Sequence, residues 1–267
     1  MTKRIGRFAL DNGKVRYAEL EDGSAWLLDE APWLLGQRTG ERIAGVDDQG
    51  RGSTTAQLLC PVAPSKIVCI GRNYVAHAEE LGNPMPSEPL MFLKPPSTLI
   101  GPGGEIELPP AELSNQVEHE TELGIVVGSR LRKVDEDTAE KAIFGYTVLG
   151  DITARDLQRA DKTWTRGKCF DTFCPAGPVI VTGLNVDALS IRCTVSGQLR
   201  QDGTTADMYF RPPYLLACIS RIMTLEPGDV VATGTPAGVG PLVAGDELTM
   251  DIEGIGSLPL TVVGPRQ

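Results

Sequence analysis

Histidine is scarce in this sequence: the 267 residues include two, His77 and His119. Because imidazole is the side chain that ordinarily exchanges protons near neutral pH, the chain offers few candidates for a general base. Aromatic residues are also few, at 5%. No hydrophobic run approaches the length of a membrane span, and the first residues are not followed by an apolar signal region. We therefore expect a cytoplasmic protein with no membrane segment.

Basic residues are outnumbered by acidic ones, 25 to 35, and the formal net charge is −10. Binding of nucleic-acid phosphates needs a basic stripe, so nucleic acid is not an expected partner. The six cysteines are scattered, and some lie in apolar runs such as 66–70, which is typical of reduced, buried thiols. Cys169 and Cys174 have no histidine near them in sequence, so a zinc site is not expected either.

Turn-forming residues are abundant, with 30 Gly and 20 Pro, and they favour many short strands over a helical bundle. Segments 5–10 and 14–19 predict a hairpin around Asp11-Asn12-Gly13, and 23–28 predicts a third strand. A polar, Gly-rich stretch at 47–53 is followed by Pro61, which indicates a boundary. We predict a small β-rich domain at 1–60 and a main domain at 61–267, with a mainly β fold built on a closed or rolled sheet.

An acidic run at 117–128 leads into an apolar strand. On one extended strand the side chains of Glu118, Glu120 and Glu122 would share a face, where they repel one another unless a cation lies between them. A hard divalent cation such as Mg²⁺, Mn²⁺ or Ca²⁺ would relieve this repulsion; an exposed acidic edge strand is the alternative. Asp151 follows another apolar strand and would complete a carboxylate set, although an aspartate there is also a common turn or cap residue.

Three further features carry candidate chemistry. His77 and Glu80 are three apart on a predicted helix at 75–81, which suits either an acid–base pair or an exposed ion pair. The Gly-rich loop 233–240 suits an anion cradle of backbone N–H groups or a plain turn. Lys168 would supply a fixed positive charge or lie at the surface. His119 points away from its acidic neighbours, so we expect it to be packed or solvated and not catalytic.

Taken together, these signals form an ordered pattern. The chain resembles the fumarylacetoacetate hydrolase family over residues 64–265. The matching residues, in chain order, are Ile70-Gly71-Arg72-Asn73-Tyr74 with His77 and Glu80, Phe92-Leu93-Lys94-Pro95, Glu120 to Leu123, Asp151 to Gln158, Lys168 with Phe170 to Phe173, and Leu225 to Gly240 with its Thr-Gly-Thr-Pro. The residues around both sites look closest to the acylpyruvase and oxaloacetate decarboxylase branch.

The resemblance implies a rolled, mixed β-sheet, a homodimer and a bound Mg²⁺ or Mn²⁺. It assigns the roles of metal ligand to Glu120, Glu122 and Asp151, of catalytic dyad to His77 and Glu80, and of substrate contact to Arg155, Gln158, Lys168 and Thr235. We count Lys168 as catalytic and add Arg72 and Tyr74 to the expected substrate-binding set. The chain departs from many members at Glu118-His119, where they carry Asp-Tyr. It also has Arg72-Asn73 where the hydrolase proper supplies a fourth carboxylate, so three ligands are expected here.

The expected function is metal-dependent cleavage of a C–C bond in a short 2-oxo acid. This covers hydrolysis of a 2,4-dioxo acid (acylpyruvate or fumarylpyruvate type) and decarboxylation of oxaloacetate, both through a metal-stabilised enolate, with Lys168 supporting the negative charge. The alternative is isomerisation or tautomerisation of a 2-hydroxydienoate (5-carboxymethyl-2-hydroxymuconate type) or of oxaloacetate enol. A non-enzymatic binding protein on the same scaffold is a third hypothesis, disfavoured because His77, Glu80 and Lys168 are all present.

Overall fold

A computed structural model describes residues 2–266, within which the chain forms twenty strands and five α-helices. The strands are β1 (Arg4–Leu10), β2 (Val15–Glu21), β3 (Ser24–Leu28), β4 (Arg38–Ala44), β5 (Ala56–Leu59), β6 (Ile67–Gly71), β7 (Leu90–Lys94), β8 (Leu99–Ile100), β9 (Glu105–Glu107), β10 (Val117–His119), β11 (Thr121–Val127), β12 (Ile143–Gly150), β13 (Thr153–Ala154), β14 (Cys174–Val181), β15 (Ser190–Val195), β16 (Gln198–Thr204), β17 (Val230–Ala232), β18 (Gly240–Pro241), β19 (Glu247–Ile252) and β20 (Gly256–Val263). The helices are α1 (Val75–Glu80), α2 (Glu136–Lys141), α3 (Arg155–Ala160), α4 (Thr165–Lys168) and α5 (Pro212–Ile222).

The strands form one large sheet and two smaller ones. The large sheet runs β4-β3-β2-β1-β14-β12-β11-β17-β6-β7, with β5 on β1 and β8 on β14. A second sheet runs β16-β15-β19-β20-β9, and it packs against the middle of the first, where β11, β12 and β14 lie. Most pairs are antiparallel, but β17–β6, β14–β8 and β20–β9 are parallel. The mainly β, mixed-sheet prediction is therefore confirmed.

The N-terminal strands continue the large sheet. The predicted hairpin is present, and β1 then pairs with β14 in the register Arg4↔Val181. The sequence did not reveal β4, whose residues are mostly exposed and polar and so lack the alternation that marks a half-buried strand. The sheet therefore runs without interruption across the predicted boundary near residue 60.

The acidic run is broken where the sequence predicts one strand. β10 ends at His119 and pairs with β13 and β18, whereas β11 starts at Thr121 in the large sheet. Glu120 is the link between them, and its carbonyl accepts the N–H of Asp151 at 2.9 Å. The prediction of one continuous strand is wrong, because the chain changes sheets at Glu120. The three carboxylates still lie close together: Glu118 and Glu120 both contact Arg155, and Glu120 and Glu122 belong to one carboxylate cluster.

The polar segment that follows Asp151 is helical. α3 and α4 occupy much of the stretch 156–168, which showed no helical apolar spacing because each helix is four to six residues long. No helix in residues 2–266 is long and apolar enough to cross a membrane.

Candidate active site

Strand register assembles the carboxylate set. In the β11–β12 pair, Thr121 lies opposite Gly150, so the residues just before and just after this pair, Glu120 and Asp151, meet at the same end of the sheet. Glu122 lies one residue inside β11. Ligand oxygens of Glu120, Glu122 and Asp151 lie within 4.8 Å of one another, and all three side chains are buried. The predicted metal ligands are therefore brought together.

These residues fit a hard divalent cation. Within the described residues, Asp151 Oδ1 accepts no hydrogen bond, and its close neighbour is the Lys94 ammonium at 2.9 Å. Burial, and then the nearby Asp151 and Glu120 carboxylates, raise the pKa of Glu122 well above its ordinary value, although the Gly234 N–H donates to Glu122 Oε2 at 2.7 Å. A cation bound among three carboxylate oxygens would relieve this repulsion, and carboxylates are the ligands that such cations prefer.

Two buried cations partly balance the carboxylates. Lys168 Nζ lies 3.0 Å from Glu120 Oε2 and 2.6 Å from Asp151 Oδ2, and Arg155 Nη2 lies 2.5 Å from Glu120 Oε1. Burial alone would raise the pKa of Glu120, but Lys168 and Arg155 hold it below its ordinary value. Burial alone would lower the pKa of Lys168, but Asp151 and Glu120 raise it. The alternative that Lys168 lies at the surface is wrong, because Lys168 is 2% exposed.

Lys94, the last residue of β7, stands in a matched sequence run but was given no role from the sequence. Its Nζ donates to the carbonyls of Ile152 (3.1 Å), Lys168 (2.5 Å) and Phe173 (2.9 Å), and it lies 2.9 Å from Asp151 Oδ1. The three N–H groups of the ammonium are used by the carbonyls, so its contact with Asp151 is one of charge. Lys94 thus links the segments that carry Asp151 and Lys168. The sequence does not show that this lysine is buried, and its role follows from that burial.

His77 and Glu80 form the pair that the spacing predicts. His77 Nδ1 lies 3.2 Å from Glu80 Oε2, and the Gly238 N–H donates to Glu80 Oε1 at 3.0 Å. His77 is 5% exposed and Glu80 is exposed, so the histidine half of the pair is buried while the carboxylate reaches the surface. A carboxylate that accepts from Nδ1 leaves Nε2 as the atom that can accept a proton.

The Gly-rich loop 233–240 binds anions, but they belong to the chain itself. Its N–H groups at Gly234 and Gly238 donate to Glu122 and Glu80. Gly234 has a φ of +94°, and a Cβ there would come 2.8 Å from the Cβ of Asn73. The loop therefore holds both Glu122 of the carboxylate set and Glu80 of the His77–Glu80 pair.

A buried glutamine anchors this loop. Gln201 Nε2 donates to Thr235 Oγ1 at 2.7 Å, and Gln201 Oε1 accepts from the Thr121 N–H at 3.0 Å. Thr235 Oγ1 in turn donates to the Thr121 carbonyl at 2.8 Å. His119 Nδ1 lies 3.3 Å from Gln201 Oε1, and desolvation lowers the pKa of His119. His119 is therefore packed, and Gln201 is a second residue that the sequence reasoning missed.

Most of the predicted site residues line one cleft of about 1300 Å³. Ten of the eleven predicted site residues line it: Arg72, His77, Glu80, Glu120, Glu122, Asp151, Arg155, Gln158, Lys168 and Thr235. Tyr74 is not among the lining residues of the described chain, because it is 1% exposed and packs in the core. Its predicted contact with substrate finds no support in this placement.

Arg155 is largely occupied by protein groups. Its Nε donates to Glu118 Oε2 at 2.7 Å and its Nη1 to Gln158 Oε1 at 2.5 Å, in addition to the bond to Glu120. Burial alone would lower the pKa of Arg155, but Glu120 and Glu118 raise it. Glu118 therefore acts on the site through Arg155 and lies outside the set of three ligands.

Two family models and several known proteins are similar to this chain. A model of the fumarylacetoacetate (FAA) hydrolase C-terminal domain matches residues 66–263, and an Rv2993c-like N-terminal model matches residues 3–61. Protein Rv2993c of Mycobacterium tuberculosis is 42% identical over 266 residues, 97% of this chain and 98% of that one. The mitochondrial oxaloacetate tautomerase FAHD1 of Arabidopsis thaliana is 46% identical over 74% of this chain and 91% of its own.

A solved structure resembles the whole chain. The 5-carboxymethyl-2-hydroxymuconate delta-isomerase from Mycobacterium smegmatis superposes with a TM-score of 0.88 at 39% identity, covering 98% of this chain and 99% of that one.

Proposed function

The chain belongs to the fumarylacetoacetate hydrolase family, and from this premise we propose that it catalyses keto–enol tautomerisation of a short 2-oxo acid of the oxaloacetate type. The observation that carries the proposal is the meeting of a proton-transfer pair, His77–Glu80, and a buried ammonium, Lys168, with the carboxylate triad in one cleft. Relatives named as an oxaloacetate tautomerase and a hydroxymuconate isomerase support this reaction class.

We propose Mg²⁺ or Mn²⁺ as the cofactor, held by Glu120, Glu122 and Asp151. When bound, such a cation would hold the carboxylate and 2-oxo oxygen of a substrate and make the neighbouring C–H more acidic. Lys168 and Arg155 fix the orientation of Glu120 from both of its oxygens, and Lys168 also fixes Asp151. The ligand set is thereby preorganised by the chain's own cations.

His77 carries the proton in this proposal. Glu80 accepts from Nδ1 and keeps Nε2 in its basic form, and the Gly238 N–H keeps Glu80 in place. Tautomerisation moves one proton from C3 to the oxygen on C2, with no water consumed and no carbon–carbon bond broken. Nε2 takes the proton from C3 and delivers it to the C2 oxygen, and the ammonium of Lys168 supplies positive charge beside that oxygen while it is negative.

C–C bond cleavage is the second candidate, and the same dyad favours it. A histidine oriented by a carboxylate can also activate a water molecule for attack on the distal carbonyl of a 2,4-dioxo acid. Decarboxylation of oxaloacetate needs no water, so His77 would serve there only to protonate the product. The three reactions therefore differ in what His77 does.

The purified protein is expected to convert enol-oxaloacetate to the keto form in a Mg²⁺- or Mn²⁺-dependent manner. Treatment with EDTA should reduce the rate by about 100-fold or more, because the cation accounts for several kcal/mol of charge stabilisation, and either metal should restore it. The enol absorbance in the ultraviolet gives the rate. Equal rates before and after EDTA would contradict the proposal.

Product analysis separates the candidates. Pyruvate formed from oxaloacetate would indicate decarboxylation, and acetate plus pyruvate formed from acetylpyruvate would indicate hydrolysis. If either rate exceeded the tautomerisation rate under the same conditions, the second candidate would replace the first. The homodimer implied by the family resemblance remains a proposal, which sedimentation equilibrium of the same preparation would check.

A further inference from the structure

Arg72 has an unusual backbone for its residue type. It directly follows β6, lines the cleft and has a φ of +55°, in the left-handed region that side chains other than glycine rarely adopt. Such a conformation persists only where the surroundings impose it, and it often marks a functional position. The question is what imposes it and where the side chain is directed.

The residues on both sides of Arg72 are fixed. β6 pairs with β17 up to Cys69 and with β7 up to Gly71. The next residue, Asn73, is fully buried, and its side chain donates to the carbonyls of Phe210 (3.0 Å) and Thr233 (2.7 Å) and accepts the Phe210 N–H at 2.7 Å. The backbone of Arg72 is therefore fixed between a paired strand and the three hydrogen bonds of the Asn73 side chain. The conformation of this backbone does not depend on contacts of the Arg72 side chain.

The guanidinium of Arg72 lies against an aromatic ring at the cleft. Its Cζ is 6.0 Å from the ring centroid of Trp164, which itself has a φ of +62°. Trp164 packs edge-on against Phe92, with ring centroids 5.4 Å apart, and a Cβ at Gly71 would come 2.9 Å from its ring. The tryptophan is thus positioned by packing, and it offers the arginine a face on which a planar cation stacks well.

Arg72 has no carboxylate to neutralise it. No hydrogen bond or ion pair of its side chain is found within residues 2–266, whereas Arg155 in the same cleft contacts two glutamates. Arg159 is exposed and donates to Gln116 at 3.1 Å. A positioned, unpaired guanidinium in a cleft is suited to bind a carboxylate through two parallel hydrogen bonds.

We propose that Arg72 determines specificity by binding the second carboxylate of a dicarboxylic 2-oxo acid. The inference rests on the proposed function for the other end of the substrate, where the first carboxylate and the 2-oxo group meet the triad. A monocarboxylic 2-oxo acid would leave Arg72 without a partner and bind more weakly. The substrate class of this site is therefore dicarboxylic.

The dissociation constants of matched ligands test this inference. Oxaloacetate and 2-oxobutanoate have the same chain length and differ by a terminal carboxylate in place of a methyl group, as do 2-oxoglutarate and 2-oxopentanoate. Dissociation constants in the presence of Mg²⁺ can be read from tryptophan fluorescence. The unaltered protein should bind the better dicarboxylate at least about tenfold more tightly than its partner, as expected for a charge-assisted bidentate contact.

Arg72→Ala should weaken dicarboxylate binding by about 10- to 100-fold and leave monocarboxylate binding within about twofold. Arg72→Lys should retain part of the preference, and Arg159→Ala, which removes another cleft cation, should retain all of it. Arg72→Gly should lose the preference with an unchanged or higher Tm, since glycine accepts the left-handed conformation without strain. A purely structural role would instead lower the Tm and leave the preference intact.

The outcomes are separable from those of the proposed reaction. Equal loss of affinity for both members of each pair in Arg72→Ala, or no preference in the unaltered protein, would overturn the inference. A preference that depends on Arg72 in a protein with no tautomerase activity would support the inference and refute the reaction. Tautomerase activity in a protein with no dicarboxylate preference would support the reaction and refute the inference on Arg72.

Discussion

Glu122→Gln is expected to lower the Mg²⁺ affinity by about 100-fold or more and to leave the metal-free protein at least as stable as before. Glu122 is the one member of the triad that has no cation in contact among the described residues; Gly234 alone donates to it. Its charge is therefore opposed by burial and by the Asp151 and Glu120 carboxylates, as the raised pKa of Glu122 records. The amide keeps an oxygen for the Gly234 N–H while removing the repelling charge.

Two measurements check the expected loss of Mg²⁺ affinity and the expected retention of stability. Calorimetric titration with Mg²⁺ gives the affinity, and the Tm in EDTA gives the stability of the metal-free protein. Asp229→Asn is the matched control: this carboxylate is also fully buried, but it accepts from Ser65 and contacts Lys66 outside the cleft. That variant should lose stability and keep its Mg²⁺ affinity. A Glu122→Gln protein that binds Mg²⁺ as tightly as the unaltered chain would refute the ligand assignment.

The proposed metal-ligand set comes from the family resemblance, and the strand pattern is compatible with it. Glu120 and Glu122 are separated by one residue at the start of an apolar strand, and Asp151 stands at the end of another, so a simple antiparallel pairing brings them together. Spacing of three on a helix predicts that His77 and Glu80 are in contact, and the family resemblance supplies the dyad role. In both cases one element or one strand pair fixes the geometry.

The supporting residues were not predictable because their roles arise from distant segments. Lys94 acts through carbonyls 58, 74 and 79 positions away, and Gln201 acts through Thr121, 80 positions away. A lysine at a strand end and a glutamine in a half-exposed strand are ordinary surface residues by sequence. Only the fold shows that each is fully buried with all its polar groups used.

The same limit explains the break in the acidic run and the placement of Tyr74. Periodicity predicted one strand through Glu118 and Glu120, but the chain moves between two sheets at Glu120, and sequence alone carries no marker for that transfer. Tyr74 stands in a motif with Arg72, yet the left-handed backbone at Arg72 separates the two side chains, so that one reaches the cleft and the other the core. Local sequence patterns predict individual strands and helices well, but they predict poorly where the chain passes from one element to the next.

His77→Ala is expected to reduce kcat for tautomerisation by about 10²- to 10⁴-fold, the usual contribution of a positioned acid–base group. His77 is the only histidine that lines the cleft in the described part of the chain, and its Nδ1 is committed to Glu80. Glu80→Gln should have a smaller effect, about tenfold to 100-fold, because the amide still contacts the ring but no longer supports the positive charge that Nε2 gains with the proton. The enol absorbance of oxaloacetate gives both rates.

Two controls make this result specific to proton transfer. Glu79→Gln changes the neighbouring carboxylate on the same helix, which is exposed, and should leave kcat within about twofold. Calorimetric titration should give the same Mg²⁺ affinity for His77→Ala as for the unaltered protein, because His77 touches none of the three ligands through a hydrogen bond. Full activity in His77→Ala would remove the dyad from the chemistry. Loss of acetylpyruvate hydrolysis alone, with tautomerisation and decarboxylation retained, would instead assign His77 to water activation and favour C–C bond cleavage as the reaction of this site.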